Sequence, residues 1–233
     1  MEWSGYNWLT HERWGQIHPD KPYCYYDESA VLIDQNNHLN LITHYNPKYF
    51  DEIESYSTVG IGLVSCTTQF GHGYFEISAK LPTGDDLWPA FWMWAFESYP
   101  PEIDVFEGYS EKSNYWNWMC KGSYNPFKLW KVQSNVHVGT TDNIIHARAK
   151  NHCFTLKNPS KKFIKYGCLW APDKIEIFYN GLFVRRIKKG IFLKGFENKT
   201  LNVIINNSIQ NDTKMSENMY SNFQIEYFKY EPL

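Results

Sequence analysis

The chain of 233 residues lacks any apolar run near the roughly 20 residues that cross a membrane, and its mean hydropathy is −0.52. Its start, Met1-Glu2-Trp3-Ser4, lacks the basic and apolar regions of a secretory signal peptide. It also lacks linkers, repeats, low-complexity blocks and any long segment with a helical apolar period and caps. These absences argue against a membrane-spanning or helical protein and predict one domain over residues 1–233.

The net charge is small, −2 at pH 7, which argues against a generic nucleic-acid binder. The charges are unevenly distributed: residues 1–120 carry 5 basic and 17 acidic side chains, and residues 121–233 carry 18 basic and 8 acidic ones. The most basic stretch is Arg185-Arg186-Ile187-Lys188-Lys189. A solvated strand face or a guarded sheet edge explains this stretch without any ligand, whereas affinity for an anionic polysaccharide is the sharper hypothesis.

Cysteines are few, odd in number and scattered. No C-x-x-C pair suggests a zinc or redox site. We therefore expect buried free thiols, or one disulfide among them, at Cys24, Cys66, Cys120, Cys153 and Cys168.

Aromatic residues, in contrast, make up 18% of the chain, and turn-forming residues recur about every 8–15 positions, as in β-sandwiches. Asn180-Gly181 is a strong two-residue hairpin sequence. The pattern predicts an all-β fold: a two-sheet antiparallel sandwich with a jelly-roll, concanavalin A-like arrangement and an open cleft on its concave sheet. The candidate strands are Ala30–Asp34, Leu39–Thr43, Ile61–Thr67, Tyr74–Leu81, Ala90–Trp94, Glu102–Glu107, Gln133–Val138, Lys162–Trp170, Lys174–Tyr179, Leu182–Ile187, Leu201–Ile205 and Asn222–Tyr230.

Three carboxylates lie within six residues in the candidate strand Glu102–Glu107, separated by β-forming residues. Side chains alternate across a strand, so Glu102 and Asp104 share a face whereas Glu107 would point the opposite way. A β-bulge near Val105-Phe106 would return Glu107 to the acidic face and turn the apolar residues toward a core. We therefore predict a bulged strand with all three acids on one face; an ordinary solvated strand is the plainer alternative.

An aromatic stretch, Leu87-Trp88-Pro89-Ala90-Phe91-Trp92-Met93-Trp94, precedes the acidic strand. Aromatic rings suit the apolar face of a sugar, so acids beside them predict a site that cleaves a glycosidic bond. Trp88 and Trp92 are candidate sugar-stacking residues, although we expect strand alternation to turn one of them away from the cleft. Trp116 and Trp118 lie in a long irregular stretch and either form one cleft wall or pack that stretch against the body.

At these residues the chain closely resembles glycoside hydrolase family 16, whose members carry a bulged Glu-x-Asp-x-x-Glu strand. The resemblance runs from about Val31 to the C-terminus. The matching segments are Gly73–Pro82, Leu87–Trp92, Glu102–Glu107, Asn135–His137, Trp170–Ile175, Phe178–Gly181 and Phe223–Tyr230.

The resemblance implies a single glycoside hydrolase catalytic domain with a retaining, double-displacement mechanism. In it, Glu102 corresponds to the nucleophile, Glu107 to the acid/base, and Asp104 to the residue that orients and tunes them. His137 matches a histidine that many laminarinase-like members place beside the nucleophile, and a core histidine is the alternative.

The chain departs from the family pattern at two positions: Ser78 stands where many members have Arg, and Glu226 where many have Asp. Because that Asp position binds a structural calcium in some members, the substitution puts a metal here in doubt. We expect no cofactor and no catalytic metal, and leave a structural calcium open.

The leading hypothesis is an endo-acting hydrolase of β-1,3-glucan or mixed-linked β-1,3-1,4-glucan. The close alternative is the same chemistry on an acidic or sulphated polymer, such as agar, porphyran, carrageenan or an exopolysaccharide. A lectin-like domain that binds glycan without cutting belongs to another class, and a transglycosylase would use the same residues. For a polysaccharide substrate we expect an extracellular or periplasmic monomer with no nucleic-acid partner.

Overall fold

The computed structural model describes residues 1–18, 21–84, 87–95, 97–108, 130–147, 154–155, 157–188, 190–210 and 216–233. Two 3-10 turns, Glu28–Ala30 and Asp51–Ile53, and one short helix, α1 (Gly190–Lys194), accompany the strands. The strands are β1 (Glu2–Trp3), β2 (Tyr6–Leu9), β3 (Ile17–His18), β4 (Lys21–Tyr26), β5 (Val31–Ile33), β6 (Leu39–Phe50), β7 (Ser55–Ile61), β8 (Leu63–Phe70), β9 (Gly73–Lys80), β10 (Leu87–Ala95), β11 (Glu102–Glu107), β12 (Trp130–Lys131), β13 (Gln133–Thr140), β14 (Asn143–His146), β15 (Phe154–Thr155), β16 (Ile164–Ala171), β17 (Lys174–Tyr179), β18 (Leu182–Ile187), β19 (Leu201–Ile209) and β20 (Tyr220–Pro232).

Two large sheets make up the fold. The first has eight strands in the order β1-β2-β8-β19-β10-β11-β13-β14. The second runs β18-β17-β16-β9-β20-β6-β7-β4-β3, with β5 paired to β6, and a small sheet joins β12 to β15. The strands pair antiparallel throughout the described residues except for β4 and β7, which are parallel. The predicted all-β, two-sheet jelly-roll sandwich is confirmed.

The main hydrophobic core lies between the two sheets. Because side chains alternate along a strand, β10 directs one set into this core and the other set to the opposite face of the sheet. The fully buried residues of the two facing central strands include Phe91, Met93 and Ala95 on β10, and Phe75, Ile77 and Ala79 on β9.

Some strand boundaries differ from the predicted ones. The predicted strand Leu39–Thr43 extends to Phe50, and the predicted strand Ile61–Thr67 is interrupted at Gly62. A Cβ at Gly62 would lie 2.5 Å from the Ala30 carbonyl oxygen, so the backbones approach closely only because this residue is glycine. The N-terminal strands β1 to β4 are absent from the prediction, because they are short and carry no sustained alternation.

Arg185, Arg186 and Ile187 of the basic stretch lie on β18, an edge strand of the second sheet. Lys188 follows the strand, and Lys189 lies outside the described residues. Arg186 pairs with Glu176 on the neighbouring strand, and Arg185 donates to the backbone carbonyl oxygen of Ser134 at 2.6 Å. The ion pair of Arg186 and the cross-sheet hydrogen bond of Arg185 therefore explain the presence of these two residues at a sheet edge without any ligand.

Two further sequence predictions concern the thiols and the membrane. Cys24, Cys66 and Cys168 are buried and free, as predicted, whereas Cys120 and Cys153 lie outside the described residues. The described part of the chain contains no helix with the length and apolar character needed to cross a membrane.

Candidate active site

The acidic strand β11 contains a bulge. Its register against β13 shifts between Asp104 and Glu107, and its register against β10 shifts at the facing position. One extra residue on β11 lets both Val105 and Phe106 enter the core, where each is fully buried. Glu107 thereby returns to the face that carries Glu102 and Asp104. The predicted bulged strand is confirmed.

The three acids line one cavity of about 430 Å³ on the face of the first sheet opposite the main core. Strands β10, β11 and β19 form its base, and the N-terminal segment contributes a wall. Aromatic rings and carboxyl groups therefore face the same space, as a sugar-cleaving site requires. Besides the acids, the lining residues include Trp88, Ala90, Trp92, Trp94, Tyr99, Asn206, Ser208, Arg13, Trp14, His18, Lys21 and Tyr26.

Glu102, Asp104 and His137 form a hydrogen-bonded group. The two carboxyl groups share a hydrogen bond, and Asp104 Oδ2 lies 3.0 Å from His137 Nε2. The same ring nitrogen lies 3.8 Å from Glu102 Oε1, because His137 stands directly opposite Glu102 in the β11–β13 register. Their ligand-type atoms lie within 4.8 Å of one another. Hydrogen bonds thus join the three side chains, and their spacing is also compatible with a metal ion.

Burial raises the pKa of both carboxyl groups in this set. The pKa of Glu102 lies well above its usual range because its side chain is removed from water, and the negative Asp104 adds to the shift while His137 opposes it. The pKa of Asp104 is raised by burial and then by Glu107. The pair therefore retains one proton to a higher pH than two isolated carboxyl groups would.

Glu107 is held by two donors of its own. Trp88 Nε1 donates to Glu107 Oε2 at 3.2 Å, and the Asn135 side-chain amide donates to Oε1. The Trp88 ring packs over Gly108, where a Cβ would approach the ring to 2.8 Å. Gly108 also has a φ of +61°, a conformation that favours glycine. This glycine therefore allows the indole to sit where it fixes Glu107.

Both predicted tryptophans of β10, Trp88 and Trp92, line the cavity. The expectation that alternation turns one of them away is wrong, because residues an even number of positions apart share a strand face. Trp92 Nε1 donates to Asn206 Oδ1 at 2.8 Å, which fixes the ring. Trp116 and Trp118 lie outside the described residues.

Sequence reasoning missed the N-terminal wall of the cavity. The Arg13 guanidinium lies 4.2 Å from the centre of the Trp94 ring, and Trp14 packs against the same ring with centroids 5.5 Å apart. His18 and Lys21 line the cavity as well. Their segment has no periodic pattern, and only its contacts across the fold bring these side chains to the acids.

Glu12 lies in this segment and is only 2% exposed. Within the described residues, its Oε1 atom is buried without a hydrogen-bond partner. Burial raises the pKa of Glu12 to about 8, with Arg13 opposing the shift and Glu102 adding to it. The side chain is therefore largely a neutral acid at pH 7.

The two departures from the family pattern contact each other. The Ser78 hydroxyl donates to Glu226 Oε2 across the β9–β20 pair of the second sheet. Neither residue lines the cavity of the acids. The expectation that the protein needs no cofactor stays a prediction.

The sequence matches a known family over most of its length. The family model described as glycosyl hydrolases family 16 matches residues 19–229. Over 138 residues, the chain is 27% identical to the endo-1,3-1,4-beta-glycanase ExsH of Rhizobium meliloti (strain 1021), covering 58% of this chain and 25% of that protein. Over 159 residues, it is 23% identical to a glucan endo-1,3-beta-glucosidase of Cryptopygus antarcticus, covering 66% of this chain and 53% of that protein. The chain thus spans about a quarter and about half of these relatives.

Solved structures share the fold. The laminarinase catalytic domain of Thermotoga maritima MSB8 superposes with a TM-score of 0.67 at 15% identity, covering 91% of this chain and 84% of that one. The LamA structure of Zobellia galactanivorans in complex with laminaritriose and laminaritetraose gives 0.72 at 15% identity, covering 97% and 91%. At these identities the likeness concerns the fold alone.

Proposed function

Because this chain belongs to glycosyl hydrolases family 16, we propose that it is a retaining endo-β-glucanase whose reaction centre is formed by Glu102, Asp104 and Glu107. The observation that carries the proposal is the bulge in β11, which directs the three acids into one cavity. A retaining glycosidase needs two carboxyl groups about 5–5.5 Å apart on one side of the scissile bond. Carboxyl groups projecting from one bulged strand into one cavity suit that requirement.

In the proposed mechanism, Glu102 attacks the anomeric carbon and forms a covalent glycosyl–enzyme intermediate. Glu107 protonates the departing glycosidic oxygen and later takes a proton from the water that hydrolyses the intermediate. Asp104 holds Glu102 through their shared hydrogen bond. Trp88 and Asn135 fix the Glu107 carboxyl group for both of its steps.

We propose β-1,3-glucan or mixed-linked β-1,3-1,4-glucan as the substrate. The partly exposed rings of Trp88 and Trp92 along the cavity suit stacking on pyranose faces of a polymer. The names of the relatives, an endo-1,3-1,4-beta-glycanase and a laminarinase, support this substrate class.

The test is product analysis on a panel of laminarin, mixed-linked glucan, agarose, porphyran and carrageenan. We expect an early ladder of oligosaccharides from laminarin or mixed-linked glucan, with proton NMR showing the β-anomer first. Products of only one or two sugars would contradict the endo mode, and an initial α-anomer would contradict retention. Binding to these glucans without any products would instead favour a lectin-like domain.

A second candidate is the same chemistry on an acidic or sulphated polymer, favoured by Arg13, His18 and Lys21 in the cavity wall. In that case KM for the anionic polymer should rise steeply with ionic strength, because the screening length falls from about 10 Å at 0.1 M salt to about 3 Å at 1 M. Lys21→Met removes a charge at similar length and should raise KM for the anionic polymer but not for laminarin. A flat salt response would exclude this candidate.

A further inference from the structure

A second role for Glu102, Asp104 and His137 follows from the spacing of their ligand atoms. His137 Nε2 lies 3.0 Å from Asp104 Oδ2 and 3.8 Å from Glu102 Oε1. In a tetrahedral zinc site with bonds of about 2.0–2.2 Å, neighbouring ligand atoms lie about 3.3–3.5 Å apart. The two observed distances bracket this spacing, so small side-chain rotations would let all three atoms bind one ion. Within the described residues, this is the one set of three His, Cys, Asp or Glu side chains whose ligand atoms converge in this way.

The types of ligand atom favour a transition metal over an alkaline-earth ion. One imidazole nitrogen and two carboxylate oxygens suit Zn²⁺. Ca²⁺, in contrast, usually takes roughly six to eight oxygen ligands. Three protein ligands leave the fourth zinc position open. Because Glu102 and Asp104 line the cavity, an ion bound to them is reached from that cavity and can keep a water molecule there.

His146 supplies the outer contact that metal-binding histidines commonly have. A metal-bound imidazole almost always donates its other ring N–H to a neighbouring acceptor, which fixes the tautomer of the ring. The Nδ1 atoms of His137 and His146 lie 2.6 Å apart across the β13–β14 pair. With its proton on Nδ1, His137 donates to His146 and presents the Nε2 lone pair to the two carboxyl groups. This contact lies outside the three ligands and is independent of their spacing.

The charge of the group also favours a cation. Burial, and then the neighbouring carboxylates, raise the pKa of both Glu102 and Asp104. A divalent cation offsets the repulsion between these carboxylates and replaces the proton that the pair retains. Metal binding therefore releases that proton to solvent.

We propose that Glu102, Asp104 and His137 bind Zn²⁺ reversibly and that the bound ion inhibits the enzyme. The ion takes the lone pair of the Glu102 carboxylate, and this carboxylate then cannot attack the anomeric carbon. The inhibition rests on the function proposed for Glu102, whereas the binding of the ion does not.

Zinc binding is measured first, without substrate, by equilibrium dialysis of the metal-free protein. We expect Zn²⁺ to bind at micromolar concentration and Ca²⁺ at the same concentration not to bind. Crystals of the unaltered protein grown with zinc should show an anomalous zinc peak between the three side chains. A peak elsewhere, or no bound zinc, would overturn the proposal.

His137→Gln removes one ligand, although its amide can still donate a hydrogen bond to Asp104. The affinity for zinc should fall at least tenfold in this variant. His44→Gln is the matched control, because His44 Nε2 also lies 3.0 Å from an aspartate oxygen, Asp27 Oδ2, outside the set of three. It should bind zinc as the unaltered protein does. Equal affinities in the two variants would overturn the assigned ligands.

Inhibition is measured as initial rates on laminarin or mixed-linked glucan. The rate should fall over the zinc concentrations that saturate the site and return fully with EDTA. Full turnover by the zinc-saturated protein would overturn the inhibition. Glycan cleavage without zinc binding would overturn the metal site and leave the proposed function standing. Zinc bound by these three residues in a protein that cleaves no glycan would support the metal site and overturn the function.

Discussion

Replacing Glu102 with Gln is expected to lower turnover of laminarin or mixed-linked glucan by roughly a thousand-fold or more. The amide keeps the size of the side chain but cannot form the glycosyl ester. Because Glu102 retains its proton unusually strongly in the folded protein, the neutral amide should not destabilise the fold. The measurement pairs initial rates with thermal unfolding of the same preparation.

Glu97→Gln is the matched control, since Glu97 is exposed and precedes the acidic strand. It should leave the rate unchanged.

Azide can distinguish the two proposed roles: with Glu102→Ala it should attack directly and give a glycosyl azide of inverted configuration. With Glu107→Ala it should attack the covalent intermediate and give the retained configuration. Retained activity in Glu102→Gln, without azide, would refute the assigned nucleophile.

Replacing Glu12 with Gln is expected to change the pH dependence of stability. The pKa of Glu12 is about 8 in the folded protein and 4.5 in an unfolded chain, so the folded state binds the extra proton between these values. The free energy of unfolding therefore falls as pH rises across this window, and Glu12 alone contributes a decrease of roughly 1.4 kcal/mol per pH unit. Glu12→Gln removes that contribution, and the variant should be more stable than the unaltered protein at pH 8 by several kcal/mol.

Urea unfolding at pH 5, 6.5 and 8 measures this difference. Glu2→Gln is the control on the same segment, because Glu2 is exposed and its substitution should leave the three stabilities unchanged. Parallel pH curves for the unaltered protein and Glu12→Gln would show that Glu12 ionises freely in the folded state. The burial argument would then fail.

The bulged strand was predictable because its residues leave few alternatives. Val105 and Phe106 are adjacent and apolar, and a regular strand would expose one of them. An extra residue buries both and also returns Glu107 to the acidic face. The local sequence was sufficient to predict the bulge, because burying both apolar side chains and placing all three acids on one face require the same extra residue.

The N-terminal wall and His146 could not be found in the same way. Arg13 and Trp14 reach the cavity through contacts with Trp94, far along the chain. His146, on the edge strand β14, lies with its Nδ1 atom 2.6 Å from that of His137, because the β13–β14 register places the two residues opposite each other. The register of two strands is set by how the whole strands pair. The β13–β14 hairpin lacks a regular apolar–polar alternation that would specify this register from its sequence.

Strand β20 occupies an interior position of the second sheet, between β9 and β6. A chain leaving the ribosome presents β6 and β9 well over a hundred residues before the segment Tyr220–Pro232 that must join them. Until that segment arrives, each half of the sheet exposes an unpaired edge and part of its apolar face. Native pairing on the ribosome must therefore wait for the end of this domain, and nascent chains depend on dilution or chaperones to avoid self-association.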